Sequence, residues 1–551
     1  MNIIGVTSLF HDTGVALLED GKIAHAMNEE RLSRKKMHLG FPYLSLEYIK
    51  SKIDLDSVDA VAVSDIPPAH LFQKIKFAMF DPSLFMGNPL YAAKGSAMMS
   101  RWVLKTMHLY REHQRVQNSI LDKLGKPLIR VEHHKSHAAS AYFTADQKRC
   151  LVVTIDNHGD GICGAVSIGE KNQLTRIDTL PWPHSPGFFY AIVTKVLGFK
   201  VGRHEGKITG LAAFGNPNSP VYHEVKKLMW FESGTIKTRN MIGLRGWIKS
   251  LLKKYSREDL SAAFQRVLEE VVTAYIKFWM DKTGIRDVAL AGGVFGNVKL
   301  NQRILEAGAK SIFVHPHMGD GGTGVGAAMH LAMDKGKIKP YRLSNAYFGP
   351  SYSDAEIKAE LDKNRCKYEK VSDIEGEVAE LLAKDKVVAF FSGAMEYGPR
   401  ALGARSIMYA AIDPKVNDWL NKRLNRTEFM PFAPFTLERF MKKCYNNTDG
   451  GLYASEFMTV TFDCTKFMRE NSPATVHVDG TARPQLINKS INASYNKVLE
   501  EYYKITKIPS LVNTSFNMHE EPIVCSPYDA VRAFKLGHLD YLAIGKYLVK
   551  N

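Results

Sequence analysis

Cysteine is scarce in this chain and carries no pattern. The six cysteines, Cys150, Cys163, Cys366, Cys444, Cys464 and Cys525, are scattered over 551 residues without a CxxC pair. That spacing suggests neither a disulfide framework nor a zinc ribbon, and a reducing, cytoplasmic compartment is the simplest expectation. No apolar run is long enough to span a bilayer, so no transmembrane segment is expected. The opening stretch MNIIGVTSLFHD lacks a basic leader and meets His11 and Asp12 too early for a secretory signal. A Walker motif is absent too, so any nucleotide site is not of the P-loop kind.

What is present describes a multidomain globular protein. The length suffices for two to four domains with sizeable cores. Lys and Arg outnumber Asp and Glu to give a net charge of +16. A charge of that sign favours anionic partners: a nucleotide, a phosphorylated sugar, a nucleic acid or an acidic membrane surface. Much of the excess falls around Lys74–Lys126 and Lys226–Lys254. The second stretch mixes its cations with Trp230, Phe231 and Trp247; a solvated surface with partly buried aromatics explains it, and a docking surface for an acidic or lipid-linked acceptor is the functional alternative.

The most informative stretch runs from His133 to Asp156, HHKSHAASAYFTADQKRCLVVTID. If His133–Tyr142 is helical, His133 and His137 lie on one face, one turn apart, a common way to offer two nitrogens to one divalent cation. LVVTID then reads as a buried strand delivering the Asp156 carboxylate. A polar helix start followed by an ordinary core strand explains the same residues without a metal.

Residues 3–9, VALLED and KIAHAMNEERL read as three strands separated by a polar turn at His11–Gly14 and a turn at Gly21. Residues 151–180 repeat the plan: strand, NHGDG turn, strand, turn, strand. Such a duplication, with each half pointing a polar turn into a cleft, describes the actin, sugar-kinase and chaperone-ATPase (ASKHA) class of α/β fold. SPGFFYAIVTKVLGF reads as a helix opened by Ser185 with Pro186 at its first position. Glu205 and Lys207 stand where a tight loop meets a small-residue helix. Residues 259–284 form a long amphipathic helix. In LAGGVFGNVKLN, Gly292 and Gly293 allow close backbone approach to a flat ligand, and Asn297 follows at the next helix. Asp320 begins another Gly-rich turn into a helix, a place suited to phosphate or metal-bound anions.

After Lys335 the sequence turns Gly- and Pro-rich, and the domain boundary is placed at 340/341. Residues Tyr352–Lys384 read as helical and KVVAFFSG as a strand. Arg400, Arg405, Arg423, Arg426 and Arg483 then come from several loops, with Asn513 and Ser515 at the end of an apolar strand. Arginines and polar side chains gathered in this way suit a phosphate or polyphosphate.

HDTGVALLEDG, EER, HHKSHAASAYF, EGKITGLAAFG, LAGGVFGNVKLN, GDGGTGVGAA, EYGPRALGARSI, PFAP, HVDGTARPQ and NTSFNMHEEPIV occur in this order. In content and order they resemble the NodU/TobZ-type O-carbamoyltransferases over nearly the whole chain. The resemblance implies an ASKHA-type carbamoyl-transfer domain over residues 1–340 and a YrdC-like α/β domain over 341–551. The second would make carbamoyl adenylate from carbamoyl phosphate and ATP, with Mg accompanying ATP. The first would pass the carbamoyl group to a hydroxyl of a sugar, glycan or natural product beside an iron(II)-type metal. By the same resemblance the metal ligands are His133, His137, Asp156 and Asp320. His11 and Asp12 face the acceptor, and Glu205 and Lys207 form the EGK element. Gly292, Gly293 and Asn297 contact nucleotide. Arg400, Arg405, Arg483, Asn513 and Ser515 line the carbamoyl phosphate and nucleotide pocket. Many relatives carry a Lys and a longer REWFRPFAP stretch where this chain reads RLNRTEFMPFAP, so Arg423 or Arg426 stands in for that cation.

Two other readings fit the fold class: a tRNA threonylcarbamoyl-modifying enzyme, and a non-catalytic nucleotide-binding protein of the actin and chaperone kind. Full-length agreement with the carbamoyltransferases favours a small-molecule acceptor over nucleic acid. Acceptor identity, metal identity and oligomeric state are not legible in the sequence.

Overall fold

The computed structural model describes all residues except 9–10, 66–110, 113, 183, 240–243 and 426–429. The chain divides into two compact units, Met1–Ala26 with Met37–Arg342, and Met27–Lys36 with Leu343–Asn551. The boundary therefore falls at 342/343, and ten residues near the amino terminus belong to the second unit.

The first unit contains two sheets of the same design. In one, β1 (Asn2–Thr7), β2 (Gly14–Glu19), β3 (Lys22–Asn28), β4 (Ala60–Ser64) and β5 (Leu128–Val131) lie in the order β3-β2-β1-β4-β5. The other is built from β6 (Arg149–Gly159), β7 (Ile162–Glu170), β8 (Gln173–Pro181), β11 (Asp287–Ala291) and β12 (Ser311–Val314), in the order β8-β7-β6-β11-β12. Between β8 and β11 in sequence, β9 (Met229–Glu232) and β10 (Thr235–Thr238) make a separate hairpin. In each five-stranded sheet a meander is followed by two strands parallel to its first strand. This repeated order is the duplicated ASKHA plan expected from the two meanders in the sequence. The parallel strands are buried on both faces, which is why they read as continuous runs such as VAVS and VALA.

Helices carry the sheets' polar edges into register. Helix Thr323–Asp334 crosses β1 so closely that a Cβ on Gly5 would lie 2.0 Å from the Gly324 carbonyl oxygen. The Thr323 hydroxyl lies 3.0 Å from that of Thr7 and 2.7 Å from that of Ser64, which ties the helix start to the ends of β1 and β4. The same helix packs on helix His133–Thr144, where a Cβ on Gly326 would lie 1.8 Å from the Ser136 carbonyl oxygen. Small residues in HAASA and TGVGAA are thus the condition for the close crossing. Ser185 caps helix Pro186–Val196, and the long helix spans Arg257–Thr283.

The second unit is one mixed eight-stranded sheet with helices. Its strands are β13 (Tyr368–Lys370), β14 (Val388–Phe391), β15 (Arg405–Ala410), β16 (Ala433–Leu437), β19 (Gln485–Ile487), β20 (Ser510–Ser515), β21 (Tyr541–Ile544) and β22 (Tyr547–Lys550). They run in the order β13-β22-β21-β14-β15-β20-β16-β19, and β17 (Phe462–Asp463) pairs separately with β18 (Thr481–Ala482). This is the α/β class expected for the second domain.

Two sequence expectations are corrected. KIAHAMNEERL is not one strand: β3 ends at Asn28 and a short helix, Glu29–Ser33, follows with two acids in its first turn. Tyr352–Lys384 is not one helix either. Ser353 forms a capping box for helix Asp354–Lys363, β13 follows, and Asp373 caps helix Ile374–Ala383. Two successive N-caps interrupt a pattern that is otherwise uniformly helix-forming.

Candidate functional site

The first unit gathers two histidines and two aspartates at one point. His133 and His137 occupy successive turns of helix His133–Thr144, whose start is fixed by acids from two directions. Glu132 accepts from the His134 and Lys135 backbone N–H groups and pairs with Arg176. Asp160, from the turn after β6, accepts from the His133 N–H at 2.8 Å. The β6–β7 register shifts between Ile155 and Gly159, directly at Asp156, and such a bulge re-aims a side chain. Ser185 holds this irregular stretch by donating to the Asp156 and Asn157 carbonyls at 3.1 and 2.7 Å. Asp320 begins a 3-10 turn that leads into helix Thr323–Asp334.

The resulting distances are short. His133 Nε2 and His137 Nε2 are 3.1 Å apart, and His137 Nε2 lies 3.2 Å from Asp156 Oδ2. Asp320 Oδ1 is 3.6 Å from His133 Nε2 and 3.7 Å from His137 Nε2. One ligand atom from each of the four residues lies within 4.8 Å of every other. Two imidazole nitrogens and two carboxylate oxygens, with no sulfur, suit a first-row divalent metal. Both histidines are buried, and the carboxylates are mostly so. Room for the rings is specific: a Cβ on Gly159 would meet His133 Cδ2 at 2.1 Å. The residues therefore fit a metal.

The electrostatics agree with a cation site. Burial opposes a charge on His133, but its hydrogen bond to Asp156 and the charges of Asp320 and Asp156 outweigh that and push it up to about 10. Burial likewise opposes ionisation of Asp156, yet His133 and His137 hold it well below the carboxylate range.

Around this centre stand the other expected residues. His11 Nε2 lies 3.8 Å from Asp320 Oδ2, and His11 Nδ1 lies 3.2 Å from Asp12 Oδ2. Burial lowers the His11 value, but Asp12 and Asp320 raise it to about 10. Glu205 opens helix Glu205–Ala212 and accepts from the Gly202 N–H at 2.6 Å; burial raises its carboxyl, while the charge of His11 lowers it. Lys207 is buried on the same helix. Gly292 has φ 105°, and a Cβ there would lie 2.2 Å from the Ile155 carbonyl oxygen; at Gly293 it would lie 3.1 Å from Asp156 Oδ1. These glycines make room for β6 and its aspartate. Asn297 accepts from the Leu300 N–H as a helix cap and exchanges hydrogen bonds with Gln265.

In the second unit the loop after β14 carries Arg400. The Ala401 carbonyl accepts from Asn513 Nδ2 at 3.1 Å, and that of Leu402 accepts from Gln485 Nε2 at 2.8 Å. Arg483 precedes Gln485 by two residues, so both guanidinium groups attach to one locally braced region. Burial pushes Arg400 down to about 10. It lowers Arg483 well below the usual range, with the charge of Arg400 adding to the effect. Neither has an acidic or hydrogen-bonding partner among the described residues. Asn513 Oδ1 is buried and unpartnered as well. Two neighbouring cations without a counterion among the described residues are an arrangement suited to an anion.

The remaining expected arginines differ. Arg405 is fully buried and its Nη atoms donate to the carbonyls of Ser392, Gly393, Ala404 and Pro350, with the guanidinium stacked 3.6 Å from the Phe391 ring centre. It is committed to holding the loop, as is Glu396, which accepts from the Leu402 and Arg405 N–H groups. Arg423 faces Asp540 at 3.4 Å, just before β21. β21 starts opposite Val388, so Arg423 sits at the end of β14 away from the Arg400 loop. Arg426 lies outside the described residues. Ser515 pairs in register with Ser406, near the start of β15.

Residues not singled out in the sequence also shape the site. Asp160 fixes the His133 backbone, and the D of NHGDG was the available signal. Asp65, buried at the end of β4, is held well above the carboxylate range by burial and by the charge of Asp160.

The chain thus combines a duplicated ASKHA unit carrying a two-histidine, two-aspartate cluster with an α/β unit whose Arg400 and Arg483 have no acidic partner among the described residues. The chain belongs to the carbamoyltransferase family: residues 2–329 match the model described as carbamoyltransferase N-terminus and residues 379–551 the one described as carbamoyltransferase C-terminus. It is 31% identical to the uncharacterized protein MJ1051 of Methanocaldococcus jannaschii, over 98% of each chain. It is 30% identical to nodulation protein NolNO of Sinorhizobium fredii, over 99% of this chain and 79% of that one. Among solved structures, HypF of T. kodakarensis superposes with a TM-score of 0.38 at 14% identity, over 62% of this chain and 49% of that one. No described helix is long and apolar enough to cross a membrane.

Proposed function

We propose that this protein is an ATP-dependent O-carbamoyltransferase: the second unit converts carbamoyl phosphate and ATP into carbamoyl adenylate, and the first moves the carbamoyl group onto a hydroxyl of a sugar or natural-product acceptor. The observation that carries the proposal is the convergence of His133, His137, Asp156 and Asp320 on one point, with His11 3.8 Å from Asp320, in a chain of the carbamoyltransferase family.

The chemistry needs both sites. A carbamoyl group is a poor electrophile until it carries a better leaving group, and AMP is one. Making the mixed anhydride from carbamoyl phosphate and ATP consumes one water and releases phosphate and pyrophosphate. Arg400 and Arg483, which have no acidic partner among the described residues, meet the charge of the phosphate groups. In the first unit, a bound divalent metal, with iron(II) the expected ion, supplies Lewis acidity beside the transferring group. Asp12 holds the proton on His11 Nδ1, which leaves Nε2 to take the proton of the acceptor hydroxyl as its oxygen attacks the carbamoyl carbon and AMP departs. Asp156 and Asp320, two of the acids that raise His11, would also be ligands of the metal, so their charge on His11 would be offset when the ion is held. Glu205 and Lys207 lie on the helix whose first carboxylate feels the charge of His11, and Lys207 balances charge on the departing nucleotide. Gly292, Gly293 and Asn297 form the loop over which that nucleotide lies.

The test is donor choice. With ATP and Mg, the full chain should release pyrophosphate when given carbamoyl phosphate and not when given threonine plus bicarbonate. Release only with threonine plus bicarbonate would make it a threonylcarbamoyl-forming enzyme, and release with neither would contradict the adenylation step.

A further inference from the structure

The second unit contains a piece of chain that precedes most of the first. Met27–Lys36 belong to it, although the rest of the unit begins at Leu343. Two arginines of the RLSR segment explain the attachment. Arg34 donates to the Pro522 and Ile523 carbonyls, both at 2.8 Å, and its Nε lies 3.3 Å from Asp529. Asp529 is itself the capping-box partner of Ser526 at the start of helix Pro527–Leu536. Arg34 thus anchors the segment on a rigid element.

Arg31 reaches the other way. Its side chain is 5% exposed, its Nε lies 3.2 Å from Glu30 Oε1, and its Nη2 donates to the Gly398 carbonyl at 2.7 Å. Gly398 has φ 107°, in the left-handed region, and Pro399 has no N–H to contribute. Among the described residues, the hydrogen bond from Arg31 is the one holding Gly398–Arg400. On either side the loop is pinned, by the Tyr397 N–H to the Ala346 carbonyl at 2.7 Å and by Asn513 to the Ala401 carbonyl. The three residues between, ending in Arg400, depend on Arg31.

We propose that Arg31 is a positioning residue for the anion site of the second unit: by holding the Gly398 carbonyl it fixes the loop that presents Arg400. The proposal rests on the reading of Arg400 and Arg483 as the carbamoyl phosphate site. Arg31 does not touch the ligand; its remaining Nη1 is enclosed by the protein. Its action passes through Arg400, which gives it a distinctive signature.

The experiment is a double-mutant cycle on the full chain, reading carbamoyl phosphate dissociation constants by calorimetry. Arg400→Ala should weaken binding at least ~30-fold, and Arg31→Met about 10-fold. In the Arg400→Ala background, Arg31→Met should add less than about twofold, because the residue it positions is gone. Arg31→Lys, which keeps one donor for the Gly398 carbonyl, should recover part of the loss and serves where the methionine variant does not fold. Equal effects of Arg31→Met in both backgrounds, or unchanged binding in Arg31→Met and Arg31→Lys beside a weakened Arg400→Ala, would overturn the positioning role and leave the anion site standing. Unchanged binding in Arg400→Ala would overturn the anion site and the proposal together.

Discussion

His133 and His137 bring their Nε2 atoms to within 3.1 Å of each other from successive turns of one helix, with Asp156 Oδ2 3.2 Å from the second. Two ring nitrogens that close need a proton or a cation between them and their carboxylates. The protein invests in this arrangement: Glu132 and Asp160 cap the helix, Gly159 clears space for one ring, and a bulge directs Asp156 inward.

Removing one ligand should therefore remove the ion. His137→Ala is expected to bind substoichiometric iron or other divalent metal, against one equivalent in the wild type, by elemental analysis of protein reconstituted without oxygen. Equal occupancy in both would dissociate His137 from the site.

Gly159→Ala tests the room around His133. The added methyl would begin 2.1 Å from the ring, so the imidazole or the turn must shift. Overpacking of this kind costs about 1–3 kcal/mol. A lower melting temperature together with weaker metal binding is expected; a loss of stability with unaltered metal affinity would place the strain elsewhere.

Metal binding should tighten with rising pH. His133 is held at about 10 in the metal-free fold, above its ordinary value near 6.5, so its proton is present at neutral pH and must leave when metal enters. The sign for stability follows. This proton stabilises the metal-free fold fully below the unfolded value, and its contribution fades as pH rises through the folded value. Calorimetry in two buffers of different ionisation heat should show proton release on metal binding at pH 7. Proton uptake would contradict it.

Arg483 offers a prediction of unusual sign. It feels the charge of Arg400 and has no counterion among the described residues, so Arg483→Met should leave the ligand-free protein as stable or more stable, by up to ~1 kcal/mol, while activity is lost. Pyrophosphate or phosphate should raise the melting temperature of the wild type and not of the variant. A clear destabilisation of the ligand-free variant would show that Arg483 has a structural task.

The sequence made the first unit's plan and its histidine pair legible because both are local. A strand–turn–strand repeat and an i, i+4 spacing are properties of a dozen residues. Asp320 was legible only as a helix start suited to anions, and its role as a metal ligand came with the family resemblance, since its place depends on how helix Thr323–Asp334 crosses β1. The misreadings have the same cause. EER looked like the end of a strand because the carbonyls that hold Arg31 and Arg34 lie 367 and 488–489 residues away. Arg405 reads as a phosphate ligand because a small-residue turn suits one; the spacing could not show that four backbone carbonyls accept from its Nη atoms, while its Nε is buried without a hydrogen bond among the described residues. The place of Arg423, beside Asp540 at the end of β14 away from the Arg400 loop, was not legible because it depends on the β14–β21 register.

The division of labour between the two units is tested most directly by pyrophosphate release that depends on carbamoyl phosphate, compared across the wild type, His137→Ala and Arg483→Ala. The account predicts release by the wild type and by His137→Ala, and at least ~100-fold slower release by Arg483→Ala. Release that survives Arg483→Ala but is abolished by His137→Ala would put activation in the metal-bearing unit and contradict the account.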